Sequence, residues 1–138
     1  MGSPNKTNYN YEKGNIEQYV ENLEKAINTQ AIVHEDNYSS KNDFKLNIGK
    51  YDLKIQDSIK KYVHRTSKTY TDFKIIQYDN GLIKISSKKP GNVPNSYAIY
   101  NQILYKDGII RTKYKDTYDN NGNFVHRHIK WPISEKEV

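Results

Sequence analysis

Two stretches of the first half carry apolar residues at helical spacing, and the chain after residue 70 carries them at strand spacing. Ile16, Tyr19, Val20, Leu23, Ile27 and Ala31 recur every three or four positions, which predicts a helix over 16–31. Asn15 reads as its N-cap, with Gln18 three residues on completing a capping box. Residues 34–47 are polar, rich in Asp, Asn and Ser, and read as a loop. Ile48, Tyr51, Ile55, Ile59, Tyr62 and Val63 then predict a second helix over 52–65, capped by Asp52.

From residue 70 the period falls to two, with Phe73 and Ile75 alternating against Lys74 and Ile76. Asp79-Asn80-Gly81 marks a hairpin, because Asn-Gly accepts the positive φ of a primed turn. Strands are expected over 82–86, 97–105, 109–118 and 124–131, separated by a Pro/Gly-rich loop over 88–95 and turns at 106–108 and 119–123. Pro132 and the charged tail end the pattern. Helices followed by antiparallel strands give an α+β class. The expected architecture is two N-terminal helices on one face of a four- to five-stranded antiparallel sheet, the other face left polar. Residues 1–13 read as a disordered leader or a cloning remnant, and 14–138 as a single domain.

Composition sharpens this picture. A mean hydropathy of −0.99 leaves little for a core, so thirteen tyrosines must supply apolar area. With no cysteine there is neither a disulfide nor a thiolate metal site. No apolar run approaches the roughly 18 residues of a membrane span. The net charge of +6 is uneven: residues 1–60 hold 8 Lys/Arg against 9 Asp/Glu (−1), and residues 61–138 hold 14 against 7 (+7). A basic sheet half suits an anionic partner, RNA first among them. The bland alternative is a soluble lysine-rich protein.

Strand parity sorts the candidate chemistry. On the 109–118 strand, Ile109, Arg111, Lys113, Lys115 and Thr117 share one side, and Ile110, Thr112, Tyr114, Asp116 and Tyr118 the other. On the last strand, His126, His128 and Lys130 oppose Val125, Arg127, Ile129 and Trp131, the better core set. A five-residue loop sets Asp116 opposite His126 and Tyr114 opposite His128. A four-residue loop sets Lys115 opposite His126 and Lys113 opposite His128. The second is favoured, since it exposes the cationic row and buries no lone charge.

Metal-free RNA cleavage needs a base for the 2′-OH, an acid for the leaving 5′-oxygen and a cation for the phosphorane. Histidine, lysine and hydroxyl groups supply all three. His126 leads as catalytic residue, supported by Lys115, Thr117, Arg111 and Tyr118. Lys113, His128, Lys130, Tyr97, Lys88 and Lys89 are expected to bind RNA. His128, His64 and His34 follow His126 as catalytic alternatives, in that order. Lysines on an edge strand also serve simply to block aggregation, and exposed tyrosines to fill a core. His126-x-His128 lacks an acidic cluster, so no metal is expected. There is no H-E-x-x-H, Gly-rich phosphate loop or G-x-S-x-G, so no cofactor is expected either.

The residues Pro94-Asn95-Ser96-Tyr97-Ala98-Ile99-Tyr100, Asp107-Gly108, Lys115-Asp116-Thr117-Tyr118-Asp119, Gly122-Asn123 and Val125-His126 resemble the C-terminal toxin domains of bacterial polymorphic and contact-dependent inhibition toxins. The resemblance lies in the last third of the chain. It implies a ribonuclease of the barnase/EndoU/colicin/RelE (BECR) type, acting on tRNA or another structured RNA. It carries Lys115, Thr117, Tyr118 and His126 over as site residues. It further implies delivery by a larger secreted parent, action in a target-cell cytoplasm, and an acidic cognate immunity protein. Arg127-His128-Ile129-Lys130 departs from the lysine-rich ending of that pattern, and the first 60 residues match no pattern of it.

Overall fold

The polar stretch between the two helical segments is a strand, and it completes a six-stranded sheet. A computed structural model describes residues 13–131. Of the leader expected over 1–13, Lys13 begins α1, while residues 1–12 and the expected stop at Pro132 lie outside the described residues. The elements run α1 (Lys13–Asn28), β1 (Ile32–Ser40), α2 (Lys41–Leu46), a 3-10 turn (Ile48–Lys50), α3 (Leu53–His64), β2 (Thr71–Tyr78), β3 (Ile83–Pro90), β4 (Tyr97–Leu104), β5 (Ile110–Tyr118) and β6 (Phe124–Trp131). All strand pairs are antiparallel, in the order β1-β2-β3-β4-β5-β6.

The class is α+β as expected, but the architecture differs in two ways. The sheet has six strands, not four or five. The helices cover opposite faces, not one. Ile75 and Ile76 are successive residues of β2 and so point opposite ways. Ile75 belongs to a core with Ile55, Ile59, Tyr62 and Val63 of α3. Ile76 packs with Val20, Leu23 and Ile27 of α1. Both helical stripes are buried, so each needed its own face of the sheet.

α3 follows its sequence signals: Asp52 accepts from the Lys54 amide as N-cap. α1 starts earlier than its signals, so Asn15 is no cap, and Gln18 turns instead to Glu21 and Asn22. It ends at Asn28, leaving Ala31 exposed beyond it. β1 escaped the periodic reading because, as an edge strand, it buries only Tyr38. Its backbone pairs with β2, and Asp36 anchors its side chains. Tyr51 Oη donates to Asp36 Oδ2 at 2.6 Å, with His34 Nε2 at 2.8 Å and Lys50 Nζ at 3.3 Å from the same oxygen. Burial pushes the Asp36 carboxyl up, but these three partners outweigh it and hold the group below its ordinary 3.8.

At the far end, the β4–β5 turn is pressed against α3. Gly108 has φ +90°, and a Cβ there would lie 2.3 Å from the Lys54 carbonyl oxygen. Ser58 Oγ donates to the Gly108 carbonyl at 2.6 Å. On the α1 face Asp116 is buried in a two-pronged pair with Arg127, at 2.6 and 2.9 Å. The guanidinium lies 4.7 Å from the Tyr114 ring centroid.

Two outcomes are expected. Asp116→Ala strands a half-buried guanidinium and should cost about 3 kcal/mol by urea denaturation. A carboxyl with a lowered folded pKa stabilises above its ordinary value and loses that contribution as pH falls through the folded one. Amide protection factors in β1, taken against the intrinsic exchange rate at each pH, should therefore fall below about pH 4 in the wild type, and Asp36→Asn should show the lower protection already at neutral pH.

Candidate nucleic-acid interface

Three bulges decide which C-terminal side chains share a face. Thr112 pairs with Ile103 and Ile110 with Leu104, so Arg111 is an extra residue on β5. Tyr118 pairs with Phe124 and Thr117 with His126, so Val125 is extra on β6. Tyr114 pairs with Ile129 and Lys113 with Trp131, so Lys130 is extra too. The turn is thus the five-residue one, while the bulge at Val125 returns the histidines to the cationic side. His126 stands opposite Thr117 and His128 opposite Lys115, a register offset from both expected ones.

The face shared with α3 carries three cross-strand rows over β3–β6. They are Lys89–Ala98–Thr117–His126, Ser87–Tyr100–Lys115–His128 and Ile85–Gln102–Lys113–Trp131. Lys113, Lys115, Thr117, His126, His128 and Lys89 therefore come together on one surface. Lys130 joins them, its Nζ 4.9 Å from the Tyr100 ring centroid, with Lys115 Nζ at 5.9 Å from the same ring. Both histidines are exposed.

Four expected site residues lie on the other face. The Arg111 bulge turns its side chain toward α1, where Nε donates to Tyr19 Oη at 3.0 Å and the guanidinium stands 5.4 Å from the Tyr105 ring. Tyr118 stacks on Tyr97 at 5.0 Å, and Lys88 lies over the Tyr97 ring at 4.4 Å. Burial first, then Asp116 and Tyr97, raise the Tyr118 hydroxyl pKa. Arg111, Tyr118, Tyr97 and Lys88 therefore belong to the α1 side of the sheet, away from His126. His64 is exposed on α3 and lines a groove with Lys60, Lys61 and Arg65. His34, ranked last, is the histidine with a carboxylate partner, but it sits on β1 at the opposite edge of the sheet.

A cleft of about 370 Å³ opens where α3 ends and the sheet continues. Tyr62, Arg65, Tyr70, Gln102, Lys113 and Trp131 are among its lining residues. Tyr62 Oη bonds Ser87 Oγ at 2.6 Å and the Tyr100 carbonyl at 2.8 Å, which fixes one wall. Burial, with a smaller part from Tyr100, pushes the Tyr70 hydroxyl up to about 12, so it stays protonated. Arg65, Tyr70 and Gln102 lay outside the sequence reading. Their only signal was apolar or polar spacing, which does not reveal a cleft at the end of α3.

The two faces differ in how charge is settled. Toward α1, Lys84 pairs with Glu24 at 3.1 Å and Arg127 with Asp116. Toward the cleft, Lys113, Lys115, Lys130 and Arg65 form no ion pair among the described residues. Burial first, then repulsion from Arg65, Lys130 and Lys61, lowers the Lys113 pKa. Such a cluster creates a positive potential that attracts anions. No family model, curated protein or solved structure matches this chain.

A lysine whose folded pKa is depressed costs stability while protonated, and the cost fades as pH rises through that depressed value toward the ordinary 10.5. Lys113→Met is thus expected to raise the melting temperature at neutral pH. An RNA-binding role for this cluster further predicts weaker RNA binding in the variant, with the slope of log affinity against log salt reduced by about 0.7. Thermal unfolding and a salt series on the same variant check both.

Proposed function

We propose that this chain is a metal-independent endoribonuclease, a toxin domain that cleaves tRNA or another structured RNA by attack of the 2′-OH. The observation that carries the reading is the alternation of two imidazoles beside unpaired cations on one exposed surface: His126 across from Thr117, His128 across from Lys115. Two residues apart on a strand, the rings stand roughly 7 Å from each other, enough to flank one phosphodiester. His126 takes the 2′-OH proton, and O2′ attacks phosphorus. His128 gives a proton to the departing 5′-oxygen, leaving a 2′,3′-cyclic phosphate. Lys115 and the Thr117 hydroxyl hold the charge that builds on the phosphorane. Lys113, Lys130 and Lys89 extend the cationic track along the RNA backbone.

The resemblance of residues 94–126 to polymorphic toxin domains supports the same reading and supplies its biology. The domain is delivered at the end of a larger secreted protein and acts in the cytoplasm of a target cell. An acidic immunity protein neutralises it by covering the His126/Lys115 surface. No described helix is long and apolar enough to cross a membrane.

A second reading, a non-catalytic module that binds RNA on this surface, draws on one observation. Among the described residues no side chain hydrogen-bonds His126 or His128, whereas His34 has Asp36. The two readings part on one experiment, incubation of the purified chain with tRNA in EDTA. Cleavage with 2′,3′-cyclic phosphate ends is expected, falling by 10²–10⁴ in both His126→Ala and His128→Ala with unchanged circular dichroism. Tight tRNA binding with no cleavage would establish the binding module instead.

A further inference from the structure

We propose that the cleft at the end of α3 is a subsite for one nucleotide of the RNA, its base held by the Gln102 amide and its phosphate by the neighbouring cations. The inference rests on the RNA-directed reading of this face and adds where a base is recognised. Gln102 is only 3% exposed, yet its amide has no hydrogen-bond partner among the described residues. Its register between Ile85 and Lys113 sets it on the cleft side of β4, and it lines the cleft. Among the described residues Tyr114 Oη is the one side-chain polar atom both sealed from solvent and unpartnered, so the Gln102 amide opens into the cleft.

A buried amide without a partner is costly unless a ligand supplies one. A carboxamide offers one donor and one acceptor side by side, the pairing that glutamine makes with the N6 and N7 edge of adenine. Tyr70 and Tyr100, their centroids 5.6 Å apart, give aromatic walls suited to a base. Lys113, Lys130 and Arg65 stand beside them without carboxylate partners, as a nucleotide phosphate requires. A volume of about 370 Å³ falls in the range of small-molecule sites, the size class of one nucleotide.

Titration calorimetry with adenosine 3′-monophosphate, ribose 5-phosphate and inorganic phosphate tests the assignment on the whole chain. The nucleotide should bind at least tenfold more tightly than ribose phosphate. Gln102→Leu should erase that difference, leave phosphate binding intact, and keep or raise the melting temperature, because it removes an unpartnered amide. Equal affinity of the wild type for all three ligands would overturn the proposal, whatever the variant does. A Gln102→Leu protein that melts lower and still prefers the nucleotide would also overturn it, and would make the amide structural. Nucleotide binding by a chain that leaves tRNA intact would remove the ribonuclease reading and keep this one. Cleavage of tRNA without any base preference in binding would do the reverse.

Discussion

The pairing of Asp116 with Arg127 fixes which side of the last hairpin faces the solvent. The two residues are cross-strand partners, and their side chains meet in a two-pronged bond beneath the α1 side of the sheet. A strand slipped by one residue sends every side chain to the opposite face. Here such a slip would bury His126 and His128 and would leave Asp116 without its guanidinium. The pair therefore does for register what no apolar residue on β6 does. Val125 is exposed, and Ile129 is the one aliphatic of that strand packed at the margin of a core. A salt bridge of this kind adds little stability over a hydrophobic replacement, but it penalises the wrong alignment strongly.

Given that alignment, the distribution of charge follows. The α1 side contains acids within reach of its cations, so Lys84, Arg127 and their carboxylates cancel locally. On the other side α3 packs over β2, β3 and the near ends of β4 and β5, while both β6 histidines are exposed. Its cations have no acids on β5 or β6 to meet, because Asp116 is committed to the opposite face. Lys89, Lys113, Lys115 and Lys130 thereby share one surface without a carboxylate partner among the described residues. Exposure of that surface depends on where α3 stops. Its final turn ends at His64, and the Gly108 contact with the Lys54 carbonyl fixes its other end against the β4–β5 turn.

Periodicity revealed the elements whose side chains decide their own fate. α3 buries every residue of its apolar stripe, its Asp52 cap holds, and β6 spans 124–131 as its pattern predicts. The reading failed where the backbone or a distant partner decides. β1 is held by main-chain pairing and by the Asp36 network, neither of which leaves an apolar alternation. The placement of α1 and α3 on opposite faces is a property of both cores at once, and each stripe alone fits either face. Bulges did the most damage to the site. Strand parity put Arg111 beside Lys113, but one extra residue on β5 sent it to Tyr19. The bulge at Val125 did the opposite, bringing both histidines to the lysine row despite a five-residue turn. A bulge is a single residue's departure from alternation, and this sequence marks neither with the glycine that announces some of them.

Two departures from good packing lie side by side. Lys113 is charged where burial and three neighbouring cations oppose it. Gln102 is buried with an amide that finds no partner among the described residues. Both line the same cleft, and both are neighbours in one cross-strand row. A chain with so small an apolar fraction has little stability to spare for such residues. Leucine or methionine at either position would satisfy the local environment better, and both fit a strand. Both unfavourable choices sit in one concavity, on the face whose cations lack carboxylate partners among the described residues. The RNA proposed above would relieve both at once, since it carries negative charge together with planar hydrogen-bonding edges.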